Sequence, residues 1–288
     1  MRVYKNTRTS DRELVITYLT VGGSNIAPIF GHICMETDAL SVKFNAFDSE
    51  ETIKDPKEFR DLLKSVRYSD IVMINIHGDV SGYKKFDALK AILLDEKINT
   101  FLICGIEESI INNRCLFKGT NAEFLMLRRY IQLGGEANRR GLMSWIFKNL
   151  GNADIDVPEP VRDRAHGIYH PDFPRDVTPE EYYPSLDINK PTVGLLISQP
   201  AWLNKRLEHY DLLIKEIERQ GANTIPVFHL PTPSVITGSI GAIKIAEQYF
   251  KRDGKTIIGS LLISGAFSHL TLANPTDGSR DQEKINYF

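Results

Sequence analysis

Apolar and polar positions alternate along the first half of the chain in a way that predicts strands separated by helices. Short runs rich in β-branched and aromatic residues predict strands at 14–19, 41–47, 70–77 and 100–105. Apolar residues at helical spacing predict helices at about 57–67 and 84–94, and a helix or loop to about residue 35. Because strands that alternate with helices form βαβ units, we expect a mainly parallel sheet.

Two helices without a strand between them are predicted next, at 121–133 and 136–150, with a break at Gly134-Gly135. They form a helical segment, 121–150, appended to the sheet. Seven prolines then crowd the stretch from Pro158 to Pro191, which has no sustained periodicity. Such a stretch is typical of an extended connection between two folded units.

A second α/β pattern follows the proline-rich stretch. Strands are predicted at 192–198, 223–229 and 256–264, and helices at 203–220 and 240–250. The predicted fold class is α/β, with two Rossmann-like or flavodoxin-like units built on mainly parallel sheets. The predicted domains are 1–155, with the helical segment 121–150; an extended connection, 156–190; and a second α/β domain, 191–288, expected to be incomplete at its C-terminus.

Composition places the chain among ordinary globular proteins and excludes several partners. The 288 residues are 42% hydrophobic, and 35 basic against 37 acidic side chains give a net charge of −2, so no basic field predicts nucleic-acid binding. Three cysteines without a C-x-x-C pair favour reduced thiols in the cytoplasm. The N-terminus lacks a signal-peptide pattern, and the most apolar stretch, 257–267, is shorter than the roughly 20 residues of a membrane span.

One histidine stands where open α/β sheets bind ligands. His77-Gly78-Asp79 follows a predicted strand, and ligands bind outside the carboxyl ends of such strands. No nucleophile elbow accompanies His77, so a loop residue held by hydrogen bonds remains the alternative. Gly22-Gly23-Ser24 also follows a strand, but neither a dinucleotide fingerprint nor a P-loop occurs, which argues against a nucleotide cofactor.

A second group of candidates lies in the proline-rich stretch. His166-Gly-Ile-Tyr-His170 places two imidazoles four residues apart, which is a metal-ligand spacing only on a helix. Gly167 and Pro171 argue against a helix. The residues alone therefore favour a structural interpretation, in which His166, Tyr169 and His170 fix an extended segment by hydrogen bonds.

Several ordered motifs of this chain resemble those of one family. Residues 194–228 combine a strand, the Gln-Pro-Ala-Trp motif, a helix with a Tyr-Asp-Leu-Leu-Ile core and a Gly-Ala-Asn-Thr-Ile-Pro-Val-Phe strand. This block resembles the large subunit of cobaltochelatase (CobN) and the H subunit of magnesium chelatase. Residues 166–174 with Glu181-Tyr182, the strand at 70–78, and the segment 263–268 with Gly265 and Phe267 are similar to further motifs of the family.

The resemblance implies a tetrapyrrole-binding large subunit, or an N-terminal fragment of one, of an ATP-dependent metal chelatase that inserts cobalt into a corrin precursor. AAA+ partner subunits would use ATP and Mg²⁺, this chain would bind no firmly held cofactor, and cobalt, or magnesium in the magnesium chelatase branch, would be the substrate metal. Chelation needs a group that takes up two pyrrole protons, which suits histidine. The substrate-binding residues expected from the motifs are His166, Tyr169, His170 and, second, His77.

Two further points follow from the resemblance. Family members are several times longer, and the family's metal-inserting residues lie mainly beyond the matching region, so metal insertion by this chain alone is not expected and no catalytic residue is assigned. The alternative is a non-catalytic α/β module that docks a partner subunit or carries a tetrapyrrole. The His-Gly pair after the third strand favours the cobalt branch over the magnesium branch.

Overall fold

The computed structural model describes residues 1–6, 12–22 and 26–264. These residues form two compact units. The first consists of Met1–Ile131 and Ala137–Val161, and the second of Gln132–Glu136 and the chain from Arg162 onward. The division therefore falls between Val161 and Arg162, inside the stretch that the sequence predicts to be an extended connection.

The first unit is built on a five-stranded sheet. Its strands are β1 (Arg2–Lys5), β2 (Glu13–Val21), β3 (Ser41–Asp48), β4 (Ile71–Ile76) and β5 (Thr100–Cys104). They lie in the order β1-β3-β2-β4-β5, with β1 antiparallel to β3 and all other pairs parallel. The first long strand, β2, thus lies between the next two parallel strands, as in flavodoxin-like sheets.

Helices cover both faces of this sheet, so its strands are buried on both sides. The helices are α1 (Ala27–Glu36), α2 (Ser49–Lys54), α3 (Pro56–Arg67), α4 (Phe86–Asp95), α5 (Glu107–Asn112), α6 (Asn121–Leu133) and α7 (Gly135–Gly151). In β4, Met73 packs into the core that contains Phe30 of α1 and Met143 of α7, whereas Ile74 packs into the core that contains Leu62 of α3. This alternation explains why β4 is a continuous apolar run, as expected for a covered parallel sheet.

The second unit repeats the arrangement on a smaller sheet. Its strands are β6 (Gly167–Ile168), β7 (Thr192–Ser198), β8 (Asn223–His229) and β11 (Ser260–Ile263), and β9 (Lys251–Arg252) pairs with β10 (Lys255–Thr256) as a hairpin. The order is β11-β7-β8-β6, with β6 antiparallel and the other pairs parallel. The helices are α8 (Pro179–Tyr182), α9 (Gln199–Leu203), α10 (Glu208–Arg219) and α11 (Ala242–Phe250).

The predicted fold class is confirmed: both units are mixed α/β structures with mainly parallel sheets. Three local predictions differ from the structure. The helix predicted at 203–220 begins only at Glu208, because the chain turns after α9: Lys205 has a positive φ of 55°, and the Arg206 amide donates to the Ala201 carbonyl at 2.9 Å. The strand predicted at 256–264 begins only at Ser260, since residues 255–256 form the hairpin strand β10. The predicted connection contains β6 and α8.

Within the described ranges, no helix is both long enough and apolar enough to cross a membrane.

Candidate functional site

His77 lies at the point of the first sheet where strand order reverses. The chain passes from β2 to β3 on one side and then returns to β4 on the other, and ligands of open α/β sheets bind beyond the carboxyl ends of strands at such a point. The His77 amide donates to the Val21 carbonyl at 2.8 Å, which extends the pairing of the two strands, and the His77 side chain is exposed. Gly22 and Gly78, with φ of 63° and 90°, turn the chain out of these strands. Gly23 and Ser24 lie outside the described residues.

The residues that follow His77 are fixed by hydrogen bonds to the end of β5. The Gly78 carbonyl accepts from the Gly105 amide at 3.0 Å and from the Cys104 thiol at 2.8 Å. The Asp79 carboxylate accepts from the Ser109 hydroxyl, and these bonds together with those at Ser81 lower the pKa of Asp79 to about 2. The turn therefore presents an ionised carboxylate two positions after an exposed imidazole.

His166 lies in the second unit, just before β6, and it has a hydrogen-bonded partner. Its Nδ1 atom is 2.8 Å from the hydroxyl of Tyr249, a buried residue of α11. Burial, followed by the nearby charge of Arg164, lowers the pKa of His166. The imidazole is half-buried and is held neutral near pH 7, which leaves its second ring nitrogen, Nε2, available for a ligand or a proton.

Tyr169 and His170 are bound within the unit by two carboxylates of α10. The Tyr169 hydroxyl donates to Asp211 at 2.6 Å, and its pKa is raised by burial and by this bond. His170 is 4% exposed, and its Nε2 atom lies 2.8 Å from Oε1 of Glu218. The Asp172 amide donates to Nδ1 of His170 at 3.2 Å, so Nε2 carries the proton that is donated to Glu218.

The surroundings of His170 are aromatic on one side and open on another. Its ring lies 5.3 Å from the Phe173 ring and 5.7 Å from the Tyr182 ring, measured between centroids. A cavity of about 350 Å³ borders His170 and Glu218 and extends to Asn223 at the amino end of β8. His170 is thus a core histidine at the edge of a polar cavity.

The structure does not bring His166 and His170 together. In β6, Gly167 is opposite Phe228 and Ile168 is opposite Val227, antiparallel to β8. His166 consequently lies beside the carboxyl end of β8, and His170 lies towards its amino end. Each imidazole has its own partner, and among the described residues no group of three or more His, Cys, Asp or Glu side chains could hold a metal ion.

Sequence reasoning missed the charged partners of this segment. Three charged residues of α10 bind the segment 169–172: Asp211, Lys215 and Glu218. Their partners, in the same order, are Tyr169, Asp172 and His170. The spacing of four and three positions, which places the three on one helical face, is visible in the sequence. It does not reveal which segment this face contacts.

Two mainly parallel α/β sheets, with histidines beyond or beside their strand ends, define the chain as a protein of the open α/β class. A family model for CobN/Magnesium Chelatase matches residues 128–287, which is more than half of the chain. The chain belongs to the CobN/magnesium chelatase family. The resemblance seen in the sequence is therefore confirmed.

Comparison with individual proteins gives two further matches. An uncharacterised protein of Methanocaldococcus jannaschii, MJ0908, is 25% identical over 221 residues, which cover 74% of this chain and 18% of that protein. The structure of the catalytic subunit of cobaltochelatase from Mycobacterium tuberculosis matches with a TM-score of 0.49 and 14% identity, covering 94% of this chain and 20% of that one. The chain spans about a fifth of the length of these two proteins.

Proposed function

We propose that the chain supplies a tetrapyrrole-binding part of an ATP-dependent metal chelatase. The observation that carries this proposal is the family match over residues 128–287, which includes the whole described second unit from Arg162. In the proposed complex, AAA+ partner subunits hydrolyse ATP with Mg²⁺, and this chain holds the macrocycle. Cobalt is the proposed substrate metal and a corrin precursor the proposed macrocycle, with magnesium and protoporphyrin as the alternative pair.

The four candidate residues divide into two roles under this proposal. His166 contacts the macrocycle in the second unit, because it keeps Nε2 available, and His77, exposed beyond the strand ends of the first unit, is a separate, second candidate. Tyr169 and His170 position the segment after β6, since their polar atoms are already bonded to Asp211 and Glu218. Tyr169 and His170 are therefore not proposed to contact the macrocycle directly.

His166 is suited to proton transfer during chelation. A metal ion enters a tetrapyrrole only after two pyrrole nitrogens lose their protons, and a neutral imidazole is a suitable acceptor. When Nδ1 of His166 donates to the Tyr249 hydroxyl, Nε2 carries the lone pair that accepts such a proton. Tyr249 is 3% exposed and therefore fixes the orientation of the ring.

An equilibrium titration tests this function. The purified 288-residue chain is titrated with hydrogenobyrinic acid diamide and with protoporphyrin, and absorbance and fluorescence are recorded. Saturable binding with a Kd near or below about 10 μM is expected for at least one of them, which corresponds to roughly 7 kcal/mol. His166→Ala should weaken binding about tenfold or more, whereas His209→Ala, which removes an exposed histidine of α10, should not.

A second candidate function is a docking module that binds no macrocycle. The intramolecular bonds of Tyr169 and His170 favour it, because residues that complete a core need no ligand. This candidate predicts that neither macrocycle binds while the chain remains folded. Absence of binding to both macrocycles would contradict the tetrapyrrole-binding proposal and leave the docking module.

A further inference from the structure

A fixed loop with an apolar tip follows β8 in the second unit. In this loop, residues 230–241, the Ser234 amide donates to the Ser239 carbonyl at 2.9 Å, and the Gly238 amide donates to the Ser234 carbonyl at 2.8 Å. At the tip, Val235 is 95% exposed and Ile236 is 39% exposed. A loop held by its own hydrogen bonds keeps these two neighbouring apolar side chains in water, where they offer an apolar contact to a ligand.

Two arginines lie beside this loop and its neighbouring strand. The guanidinium of Arg162 lies against the loop: its Nη1 atom is 3.6 Å from the position that a Cβ atom on Gly238 would occupy. The guanidinium of Arg164 covers Gly167 and lies 5.7 Å from the centroid of the Phe228 ring. Both side chains thus border the carboxyl end of β8, where ligands of parallel sheets bind.

The positive charge of these arginines is not neutralised by ion pairs within the described part of the chain, where no carboxylate forms a salt bridge with either guanidinium. The acid between them, Asp163, accepts from the Arg164 backbone amide at 2.8 Å. By contrast, Arg219 and Arg128 are ion-paired with Glu216 and Glu107. Arginine binds carboxylates through two parallel hydrogen bonds, so Arg162 and Arg164 are available for an anionic ligand.

We propose that Arg162, Arg164 and the Val235-Ile236 tip recognise the peripheral carboxylates and apolar rim of a tetrapyrrole. This inference rests on the proposed function and identifies the surface that would carry it. A planar macrocycle with carboxylate side chains combines the two properties that the surface offers, an apolar contact beside two cations. A small inorganic anion would use the arginines alone. His166, two positions from Arg164, lies at the same end of β8 and would face the macrocycle from the strand side.

The test compares an anionic macrocycle with a neutral form of the same ring. The 288-residue chain and its variants are titrated with coproporphyrin and with its tetramethyl ester, at one fixed detergent concentration. Arg162→Gln and Arg164→Gln should each weaken coproporphyrin binding about tenfold, because each removes a charge-assisted hydrogen bond, and should leave ester binding within about twofold. Val235→Ser should weaken binding of both forms by a few fold. Arg219→Gln, the matched control, should change neither.

The outcomes separate this inference from the proposed function. If the wild-type chain binds a macrocycle but both arginine variants bind coproporphyrin as tightly as it does, this inference is wrong and the proposed function stands. If Arg219→Gln weakens binding as much as they do, the effect is one of overall charge, and the surface is likewise wrong. If no macrocycle binds, both proposals fail. Should Arg164→Gln fail to fold, the exposed Arg162→Gln carries the test.

Discussion

The hydrogen bond between His170 and Glu218 predicts a measurable loss of stability when the carboxylate is removed. In Glu218→Ala, the Nε2 proton of the 4%-exposed His170 loses its acceptor, and a buried donor without a partner costs about 1–3 kcal/mol. The weaker Thr224 bond, at 3.2 Å, is lost as well. The adjacent cavity of about 350 Å³ admits water to the site, which limits the loss. We therefore expect the free energy of unfolding to fall by about 1–2 kcal/mol.

The matched control is Glu216→Ala on the same helix. Glu216 pairs with the exposed Arg219, and surface pairs of this kind contribute about 0.2–1 kcal/mol. Both substitutions place alanine in α10, so the intrinsic helix preference changes equally and cancels in the comparison. Glu218→Gln keeps an acceptor oxygen and should fall between Glu218→Ala and the wild type.

Urea unfolding measured through tryptophan emission supplies the assay. The chain has two tryptophans, Trp145 in the first unit and Trp202 in the second. In a Trp145→Phe background, Trp202, which is 1% exposed and stacked on Phe228 at 3.9 Å, reports the second unit alone. The transition midpoint should shift while the slope stays constant. If Glu218→Ala lowers the free energy of unfolding by less than about 0.5 kcal/mol and by no more than Glu216→Ala does, His170 does not hold this segment and the prediction is refuted.

Three further predictions concern other parts of the chain. Because the pKa of Asp79 is lowered from its ordinary value of 3.8, ionised Asp79 stabilises the folded chain above pH 3.8, and this stabilisation is lost as the pH falls through about 2. Ser109→Ala removes the largest cause of the lowered pKa and should reduce this acid-dependent loss of stability in unfolding measured against pH. An unchanged pH profile would contradict the role given to the Ser109 hydrogen bond. Among the described thiols, a thiol reagent should modify the exposed Cys115 well before the buried Cys34, and equal rates would be inconsistent with the fold. Trp202→Ala should lower the free energy of unfolding, measured by calorimetry, by about 3–5 kcal/mol. A loss below about 1 kcal/mol would show that the stacked rings of Trp202 and Phe228 do not stabilise the core of the second unit.

The main strands could be predicted from the sequence because buried strands are locally rich in β-branched and aromatic residues. β8 was predicted with its observed bounds, Asn223–His229, since all seven of its residues are buried and β-branched or aromatic residues dominate it. β1 was not predicted, because Arg2–Lys5 is short and exposed and is recruited as an antiparallel edge by β3. Pairing of this kind at a sheet edge depends on a strand far along the chain, and four mostly exposed residues show no hydrophobic pattern that would predict it.

The site was less predictable, because its geometry depends on long-range pairing. The structural interpretation of His166, Tyr169 and His170 as hydrogen-bonded residues of an extended segment agrees with their observed bonds. Their hydrogen-bond partners lie 42 to 83 positions away, and local spacing contains no information about such partners. The Gly265 to Phe267 motif and the polar stretch at 277–288 lie outside the described residues.

Quenching of Trp202 by a bound macrocycle tests most directly whether the second unit binds a tetrapyrrole. Hydrogenobyrinic acid diamide or protoporphyrin is added to the Trp145→Phe chain, and Trp202 emission and macrocycle absorbance are followed in the same titration. We predict saturable quenching of Trp202 with the same Kd as the absorbance change, since the proposed surface belongs to the unit that contains this residue. Saturable absorbance changes with unaltered Trp202 emission, or no binding of either macrocycle, would contradict it.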